Sequence, residues 1–122
     1  MNTIQPKYEN EDRLAVCMQD GIKILKHNEI IYFEGDGRYT KIYLKNGKSI
    51  FVARLLKSFE DALSDYSFFR IHKSFLINIW SIKEFRIHKD SKIILENGVE
   101  LSIARRRKSG LIKYLFSKVV LV

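Results

Sequence analysis

Three of the four Asp-Gly or Asn-Gly pairs in this chain restrict its fold more than any other feature of its sequence. They are Asp20-Gly21, Asn46-Gly47 and Asn97-Gly98. Such pairs favour two-residue turns between antiparallel strands, because both residues accept a positive φ. The segments around them are short and rich in β-branched and aromatic residues, and residues 39–44 alternate with the period of a half-buried strand. The sequence therefore predicts a mainly β domain with about nine short strands.

Two segments have helical spacing instead. Residues 53–66 place apolar side chains on one face of a helix of about three turns, namely Leu55, Leu56, Phe59 and Leu63. Residues 105–119 have a similar spacing of Leu111, Tyr114, Leu115 and Lys118. We expect one central helix and one short C-terminal helix, with antiparallel sheets around them. The pattern lacks the strand–helix alternation of a nucleotide-binding fold.

The chain is expected to be one domain, residues 13–122, preceded by a flexible tail at residues 1–12. The first segment is polar, acidic and without periodicity, and the remainder shows no linker and no internal repeat. No run of about 18 apolar residues could span a membrane, and the N-terminus lacks the features of a secretory signal. Cys17 is the single cysteine, so no intramolecular disulfide can form. These features favour a cytoplasmic location.

Basic residues are concentrated after residue 37. Residues 38–122 contain 18 Lys and Arg against 7 Asp and Glu, whereas residues 1–37 contain 4 against 7. This separation favours a basic face that binds a polyanion, although charges spread over all faces would serve solubility equally well. The runs RIHKS (residues 70–74) and ARRRK (residues 104–108) contain the donors that nucleic-acid phosphates recruit. Nucleic acid is therefore the favoured polyanion.

No motif in the sequence predicts an enzyme or a metal site. His27, His72 and His88 lie in separate segments without the spacing of metal ligands, and Cys17 has no cysteine partner. Residues 34–39 (EGDGRY) contain two glycines but lack the GxxxxGK[ST] spacing of a phosphate-binding loop. We therefore expect no catalytic residue, no bound metal and no cofactor. For His72 the alternatives are a packed histidine on a solvated strand and a contact to a phosphate.

The order of four segments resembles the LytTR DNA-binding domain of bacterial transcriptional regulators. They are residues 30–44 (IIYFEGDGRYTKIYL), 55–63 (LLKSFEDAL), 68–82 (FFRIHKSFLINIWSI) and 97–115 (NGVELSIARRRKSGLIKYL). The most specific piece is residues 68–78, which meets the family pattern F-x-R-x-H-[RK]-S-[FY]-[LI]-[VI]-N. The resemblance implies an elongated arrangement of small antiparallel sheets. It also implies that loops, not a recognition helix, enter successive major grooves of paired direct repeats.

The resemblance further implies which residues contact DNA. Base-reading positions fall at or near Arg38 and Tyr39, at Lys73 and at Arg105. Residues assigned to DNA phosphates are Arg70, His72, Ser74, Arg106, Arg107 and Lys108. Two positions depart from the family, because alanine stands at residue 53 in place of a helix-capping Ser or Thr and at residue 104 in place of a frequent Ser.

We therefore expect a sequence-specific, double-stranded DNA-binding transcriptional regulator without a receiver domain. The implied partners are double-stranded DNA, a second copy of the chain on DNA, and a membrane or cytoplasmic inhibitor protein. One alternative is a single-stranded nucleic-acid-binding β-barrel, which needs exposed aromatic rings for stacking; Tyr39 and Tyr43 are its candidates. The other alternative is an interaction module controlled by a membrane partner.

Overall fold

The structure, a computed structural model, describes residues 12–88 and 90–122. Within these ranges ten strands form three antiparallel sheets, accompanied by two α-helices and two 3-10 turns. The strands are β1 Arg13–Met18, β2 Gly21–Lys26, β3 Ile30–Asp36, β4 Tyr39–Leu44, β5 Ser49–Val52, β6 Phe68–His72, β7 Phe75–Asn78, β8 Ile82–Arg86, β9 Lys92–Leu95 and β10 Glu100–Ser102. The helices are α1 Leu56–Ala62 and α2 Arg105–Lys118, and the 3-10 turns are His27–Glu29 and Ile79–Ser81. The predicted mainly β fold of small antiparallel sheets with two helices is confirmed.

The first described residue, Asp12, is hydrogen-bonded to the first 3-10 turn. The predicted tail at residues 1–12 lies outside the described residues apart from Asp12, whose carbonyl oxygen accepts a hydrogen bond from the His27 amide at 2.9 Å. None of the described helices is long and apolar enough to cross a membrane.

The largest sheet has five strands in the order β5-β4-β3-β7-β6 and is covered on both faces. Neighbouring residues of β3 point to opposite faces, so Phe33 belongs to one buried cluster and Tyr32 to the other. The first cluster contains side chains from the β1–β2 hairpin and α1, whereas the second contains side chains from β9, β10 and α2. The packing therefore fixes the ends of the central strands relative to both helices.

Helix α1 is shorter than predicted, and its first turn differs. It spans 7 residues, and its N-cap Leu55 has an extended backbone (φ −69°, ψ 145°) without a side-chain capping bond. Leu56, Phe59 and Leu63 are buried as predicted, whereas Leu55 is exposed. The extended conformation of Leu55 removes it from the buried face of the helix.

Helix α2 follows the predicted spacing. It contains 14 residues, of which Leu111 is fully buried. Tyr114 and Leu115 pack against the second cluster, and the Tyr114 ring lies 5.4 Å from the ring of Phe69, measured between centroids. The helix is therefore anchored beside β6.

The Asn-Gly pairs lie in turns as predicted, but the pair Asp20-Gly21 does not. Gly47 and Gly98 have φ angles of 84° and 88°, in the left-handed region that favours glycine. In the first hairpin Met18 pairs with Gly21, so residues 19 and 20 form the turn and Gly21 begins β2. The predicted turn at residues 20–21 was wrong by one residue. A glycine fits the second position of a turn and also the first position of a strand, and here it takes the strand position.

The backbone contains an internal repeat, so the expectation of none was wrong. A first unit, residues 27–62, and a second unit, residues 79–118, each run from a 3-10 turn through three strands into an α-helix. The first strand of each unit has an irregular register near its start, between Ile30 and Tyr32 and between Ile82 and Glu84. The β6–β7 hairpin lies between the two units.

Equivalent hydrogen bonds close the two units. The Lys45 amide donates to the Glu29 carbonyl, and the Glu96 amide donates to the Ser81 carbonyl, each at 2.9 Å. We call the Asn46-Gly47 and Asn97-Gly98 turns the corners of the two units. The residues just before the two corners contact each other, because Lys45 Nζ lies 3.4 Å from Oε1 of Glu96. These repeated bonds involve only main-chain atoms, so the side chains of the two units are free to differ.

Candidate nucleic-acid interface

Two turns lie side by side at one end of the five-stranded sheet. The first, residues 37–38, joins β3 to β4, and the second, residues 73–74, joins β6 to β7. Strands β3 and β7 are antiparallel neighbours in which Glu34 pairs with Phe75. Beyond that pair, the Gly35 amide donates to the Ser74 carbonyl at 2.8 Å. The predicted residues Arg38 and Lys73 are therefore at the same end of the sheet.

The start of α2 joins the same end. The Ala104 amide donates to the Ile71 carbonyl of β6 at 2.8 Å. One residue beyond this contact, Arg105 begins the helix. The structure therefore brings together residues from three distant segments of the chain, which sequence spacing alone does not show.

Four of the predicted DNA-contacting cations at this end have free side chains. Arg38, Lys73, Arg105 and Arg106 are all exposed. Their charged groups make no hydrogen bond or ion pair with any residue in the described part of the chain. Guanidinium and ammonium groups are donors only, so these side chains present unpaired N–H groups to whatever approaches.

Arg70 lies inside the protein, in contrast to these four. Its side chain is only 13% exposed, and its Nη1 atom is 2.7 Å from Oε1 of Glu60 in α1. Its Nε atom donates to the His72 carbonyl at 2.8 Å, and its Nη2 atom donates to the Lys73 carbonyl. Three of its five N–H groups therefore hold the turn at 73–74 and the contact to α1. The phosphate contact of Arg70 stays a prediction.

His72 also shapes this turn. Its Nδ1 atom accepts a hydrogen bond from the Ser74 amide at 3.1 Å. Its ring packs 5.3 Å from the ring of Phe75, measured between centroids. The Nε2 atom of His72 and the hydroxyl of Ser74 have no partner among the described residues. Both predicted phosphate residues thus keep one free polar atom.

Arg107 and Lys108 are partly engaged. Nη1 of Arg107 donates to the Arg70 carbonyl at 3.3 Å and lies 4.0 Å from Oε2 of Glu60. Nζ of Lys108 donates to the Ile87 carbonyl at 2.6 Å. Each side chain has further N–H groups, so these contacts position the cations without using all of their donors.

Glu60 was not singled out from the sequence, yet it connects the parts of this surface. Its carboxylate contacts Arg70 of β6 and lies within ion-pair distance of Arg107 of α2. Both contacts join elements that are distant in sequence, and no local pattern reports them. Glu60 therefore holds the elements of the candidate interface together through Arg70 and Arg107.

The aromatic surface beside the first turn is one stacked pair. The rings of Tyr39 (46% exposed) and Phe51 (58% exposed) lie 4.9 Å apart at 16°. Tyr43 is already occupied, because it stacks on Tyr32 at 4.3 Å and its hydroxyl donates to Glu34 at 2.9 Å. Of the two aromatic residues named for single-strand stacking, only Tyr39 is exposed.

The described residues contain no group of three or more His, Cys, Asp or Glu side chains that could hold a metal ion. A cleft of about 360 Å³ lies beside the start of α2. It is lined by three cations, Lys92, Arg105 and Lys108, by Ser91, Ser102 and Ile103, and by one carboxylate, Asp90. Its donors suit an anion, in keeping with the rest of this surface.

Comparison with curated proteins gives relatives among bacterial regulators. Transcriptional regulatory protein LytR from Staphylococcus aureus is 32% identical over 97 residues, which is 78% of this chain and 39% of that protein. Sensory transduction protein LytT from Oceanobacillus iheyensis is 30% identical over 84 residues, 69% of this chain and 34% of that protein. Sensory transduction protein LytT from Bacillus subtilis is 26% identical over 117 residues, 94% of this chain and 48% of that protein. The chain therefore spans less than half the length of these relatives.

The fold has a counterpart among solved structures. A LytTr DNA-binding domain from Bacillus cereus matches with a TM-score of 0.71 and 22% sequence identity, covering 87% of this chain and 98% of that one. The family model of the LytTr DNA-binding domain matches residues 20–116. The chain therefore belongs to the LytTR DNA-binding domain family.

Proposed function

We propose that this chain binds double-stranded DNA in a sequence-specific way and reads bases with Arg38, Tyr39, Lys73 and Arg105. The observation that carries the proposal is the convergence of three free cations, Arg38, Lys73 and Arg105, at one end of the five-stranded sheet. An arginine or lysine side chain matches O6 and N7 of guanine in the major groove. The names of the relatives, which include a transcriptional regulatory protein, support regulation of transcription as the outcome.

The size of the two turns supports entry into the major groove. Each turn joins strands about 4.8 Å apart, whereas the major groove of B-DNA is about 12 Å wide. A hairpin tip with one long cation therefore fits without a recognition helix. We extend the proposal to paired direct repeats, each bound by one copy of the chain in successive major grooves, within the cytoplasm of a bacterial cell.

The remaining donors serve the DNA backbone. Arg106, with its free guanidinium, is the best-placed phosphate contact next to Arg105. His72 and Ser74 each offer a polar atom, and Arg107 and Lys108 offer the donors that their internal contacts leave free. Phosphate contacts of this kind set register and affinity without carrying sequence information.

The test compares specific with random affinity. A preferred duplex is selected from a random pool, and binding to it and to random duplex is measured at one salt concentration. Arg105→Ala should lose about 1–3 kcal/mol on the preferred duplex and little on random DNA. Arg105→Lys should behave almost as badly, because a lysine lacks the planar fork. Arg106→Ala is the matched control and should weaken both affinities by a similar factor.

Two results would contradict the proposal. A ratio of specific to random affinity that is unchanged in Arg105→Ala would make Arg105 a phosphate contact only. Tighter binding of the wild-type chain to single strands than to the same sequence as a duplex would favour stacking on the Tyr39–Phe51 pair instead.

A further inference from the structure

We propose that Arg54 is a further DNA-contacting residue, the counterpart in the first unit of Arg105 in the second, and that it contacts a backbone phosphate. The inference rests on the proposed duplex binding and adds a contact at the opposite edge of the same surface. It derives from the internal repeat, from the fixed main chain around Arg54 and from the free side chain of this residue.

The internal repeat makes Arg54 equivalent to Arg105. Starting from the Asn-Gly corner of each unit, residues 46–58 (NGKSIFVARLLKS) align with residues 97–109 (NGVELSIARRRKS) without a gap. Both segments share Asn-Gly at the corner, Ala-Arg where the third strand ends, and Lys-Ser at the start of the helix. The identical residues therefore mark the same strand-to-helix junction in both units.

The main chain at Arg54 is fixed in place. The buried Thr40 hydroxyl donates to the Arg54 carbonyl at 2.7 Å, and the Arg54 amide donates to the Val52 carbonyl at 2.9 Å. Thr40 is the second residue of β4, directly after the turn at 37–38. The bond therefore holds Arg54 at the end of the sheet where Arg38 lies.

The side chain of Arg54 is available to a ligand. Arg54 is exposed, and its guanidinium makes no hydrogen bond or ion pair within residues 12–88 and 90–122. It lines two clefts, one of which it shares with Tyr39, Phe51 and Asp20. The predicted base-reading Tyr39 is thus its neighbour on the surface.

The position of Arg54 at the edge of the sheet indicates phosphate contact. The sheet order places β5 at one edge and β6 at the other. Four spacings of about 4.8 Å separate these strands, or about 19 Å in all. A major groove is only about 12 Å wide. The two turns proposed to enter the groove join β3 to β4 and β6 to β7, so β5 is the one strand of this sheet whose end carries neither turn. Arg54, beside that end, then lies nearest to the sugar–phosphate backbone.

The test measures the salt dependence of duplex binding. Arg54→Ala should weaken binding to preferred and random duplex by the same factor, and should reduce the slope of log K against log salt by about 0.9. Arg54→Lys should retain most of the slope, because a phosphate accepts either cation. The matched control is Lys48→Ala, which removes the same charge from the Asn46-Gly47 corner at the opposite end of the sheet. Its slope should stay at the wild-type value.

The outcomes separate this inference from the proposed function. If wild type binds the duplex with a steep slope but Arg54→Ala behaves like Lys48→Ala, the inference on Arg54 is wrong and the proposed function stands. If Arg54→Ala changes the ratio of specific to random affinity, Arg54 reads a base and the phosphate assignment is wrong. If wild type shows no preference for duplex DNA, the proposed function itself fails. A circular dichroism melt confirms that each variant is folded.

Discussion

The two units of the repeat differ most where the third strand of each meets its helix. In the first unit Arg54 is followed by Leu55 and then by Leu56, which is buried in the first cluster. In the second unit Arg105 is followed by Arg106 and Arg107. The same junction therefore leads into a helix packed on the core in one unit and into a basic, partly open helix in the other.

The two units also present their exposed cations from different places in the repeated backbone. The first unit presents one free arginine, Arg38, on the two-residue turn between its first and second strands, and another, Arg54, just before its helix. The second unit presents Arg105 at its helix start, while its corresponding strands are joined by the longer segment 87–91. A further cation, Lys73, comes from the hairpin inserted between the units. One backbone pattern thus provides two different points from which a side chain can reach a ligand.

The largest expected effect is on the salt dependence of binding, and it tests the electrostatic contrast between the helices. If about six phosphates are neutralised, log K against log salt should have a slope near −5, and affinity should fall about 1,000-fold between 50 and 200 mM salt. Arg106→Ala in α2 should make the slope shallower by about 0.9. Lys57→Ala in α1 should leave the slope unchanged, because Lys57 is paired with Asp61 at 3.1 Å.

Titration of a fluorescent duplex at several salt concentrations measures these slopes. A wild-type slope shallower than about −2 would mean that the basic surface does not follow the DNA backbone. If Arg106→Ala and Lys57→Ala changed the slope equally, α1 and α2 would not differ in their electrostatic contribution to binding.

A smaller effect is expected on stability, from the close packing of the first helix on its sheet. A Cβ atom added at Gly35 would lie 2.9 Å from Cβ of Leu56. We expect Gly35→Ala to lower the free energy of unfolding by about 1–3 kcal/mol, as overpacking does. Counted from the first strand residue of each unit, Ile30 and Ile82, the residue that corresponds to Gly35 is Ile87, which is 48% exposed. Ile87→Ala should change stability by less than about 0.5 kcal/mol.

Urea denaturation measures both variants. If Gly35→Ala were as stable as the wild type, α1 would have moved away from β3 without cost. The predicted difference between positions 35 and 87 would then be absent.

The smallest effect concerns the corners, where the two units should be alike. Oδ1 of Asn46 accepts a hydrogen bond from the Lys48 amide at 2.9 Å, and Oδ1 of Asn97 accepts one from the Val99 amide at 3.2 Å. Asn46→Ala and Asn97→Ala should each cost about 0.5–1 kcal/mol of unfolding free energy. Thermal or urea denaturation of the two variants side by side gives the comparison. A twofold or larger difference would show that the corners are not energetically equivalent.

Much of the fold could be predicted from local patterns. Alternation in β4, the Asn-Gly corners and the spacing of Leu56, Phe59 and Leu63 all depend on neighbouring residues, which sequence reports directly. One error occurred at Gly21, where glycine fits a turn and a strand start equally well. The other occurred at Leu55, which has helical spacing in the sequence but an extended backbone just before the helix. The repeat was missed because its identical residues are confined to the segment from the Asn-Gly pair to the start of the helix, and because the β6–β7 hairpin separates the two units.

The candidate interface was less accessible to sequence reasoning. The basic runs and the family pattern identified the residues at 70–74 and 104–108, but composition cannot show which cations are free. Arg70 and Arg106 are the same residue type, yet one is held by Glu60 of α1 and the other has no partner among the described residues. That distinction depends on a contact between distant segments, so only the fold reveals it.

The three donors of Arg70 have a consequence for the thermodynamics of binding. Nε and Nη2 hold the carbonyls of His72 and Lys73, and Nη1 ties the side chain to Glu60, so the turn has one arrangement before any ligand arrives. A turn that is already ordered loses little conformational freedom when it enters a groove, so more of its contact energy remains as net affinity. Association should then resemble the docking of rigid bodies, with its speed set by attraction between charges and not by folding of the loop.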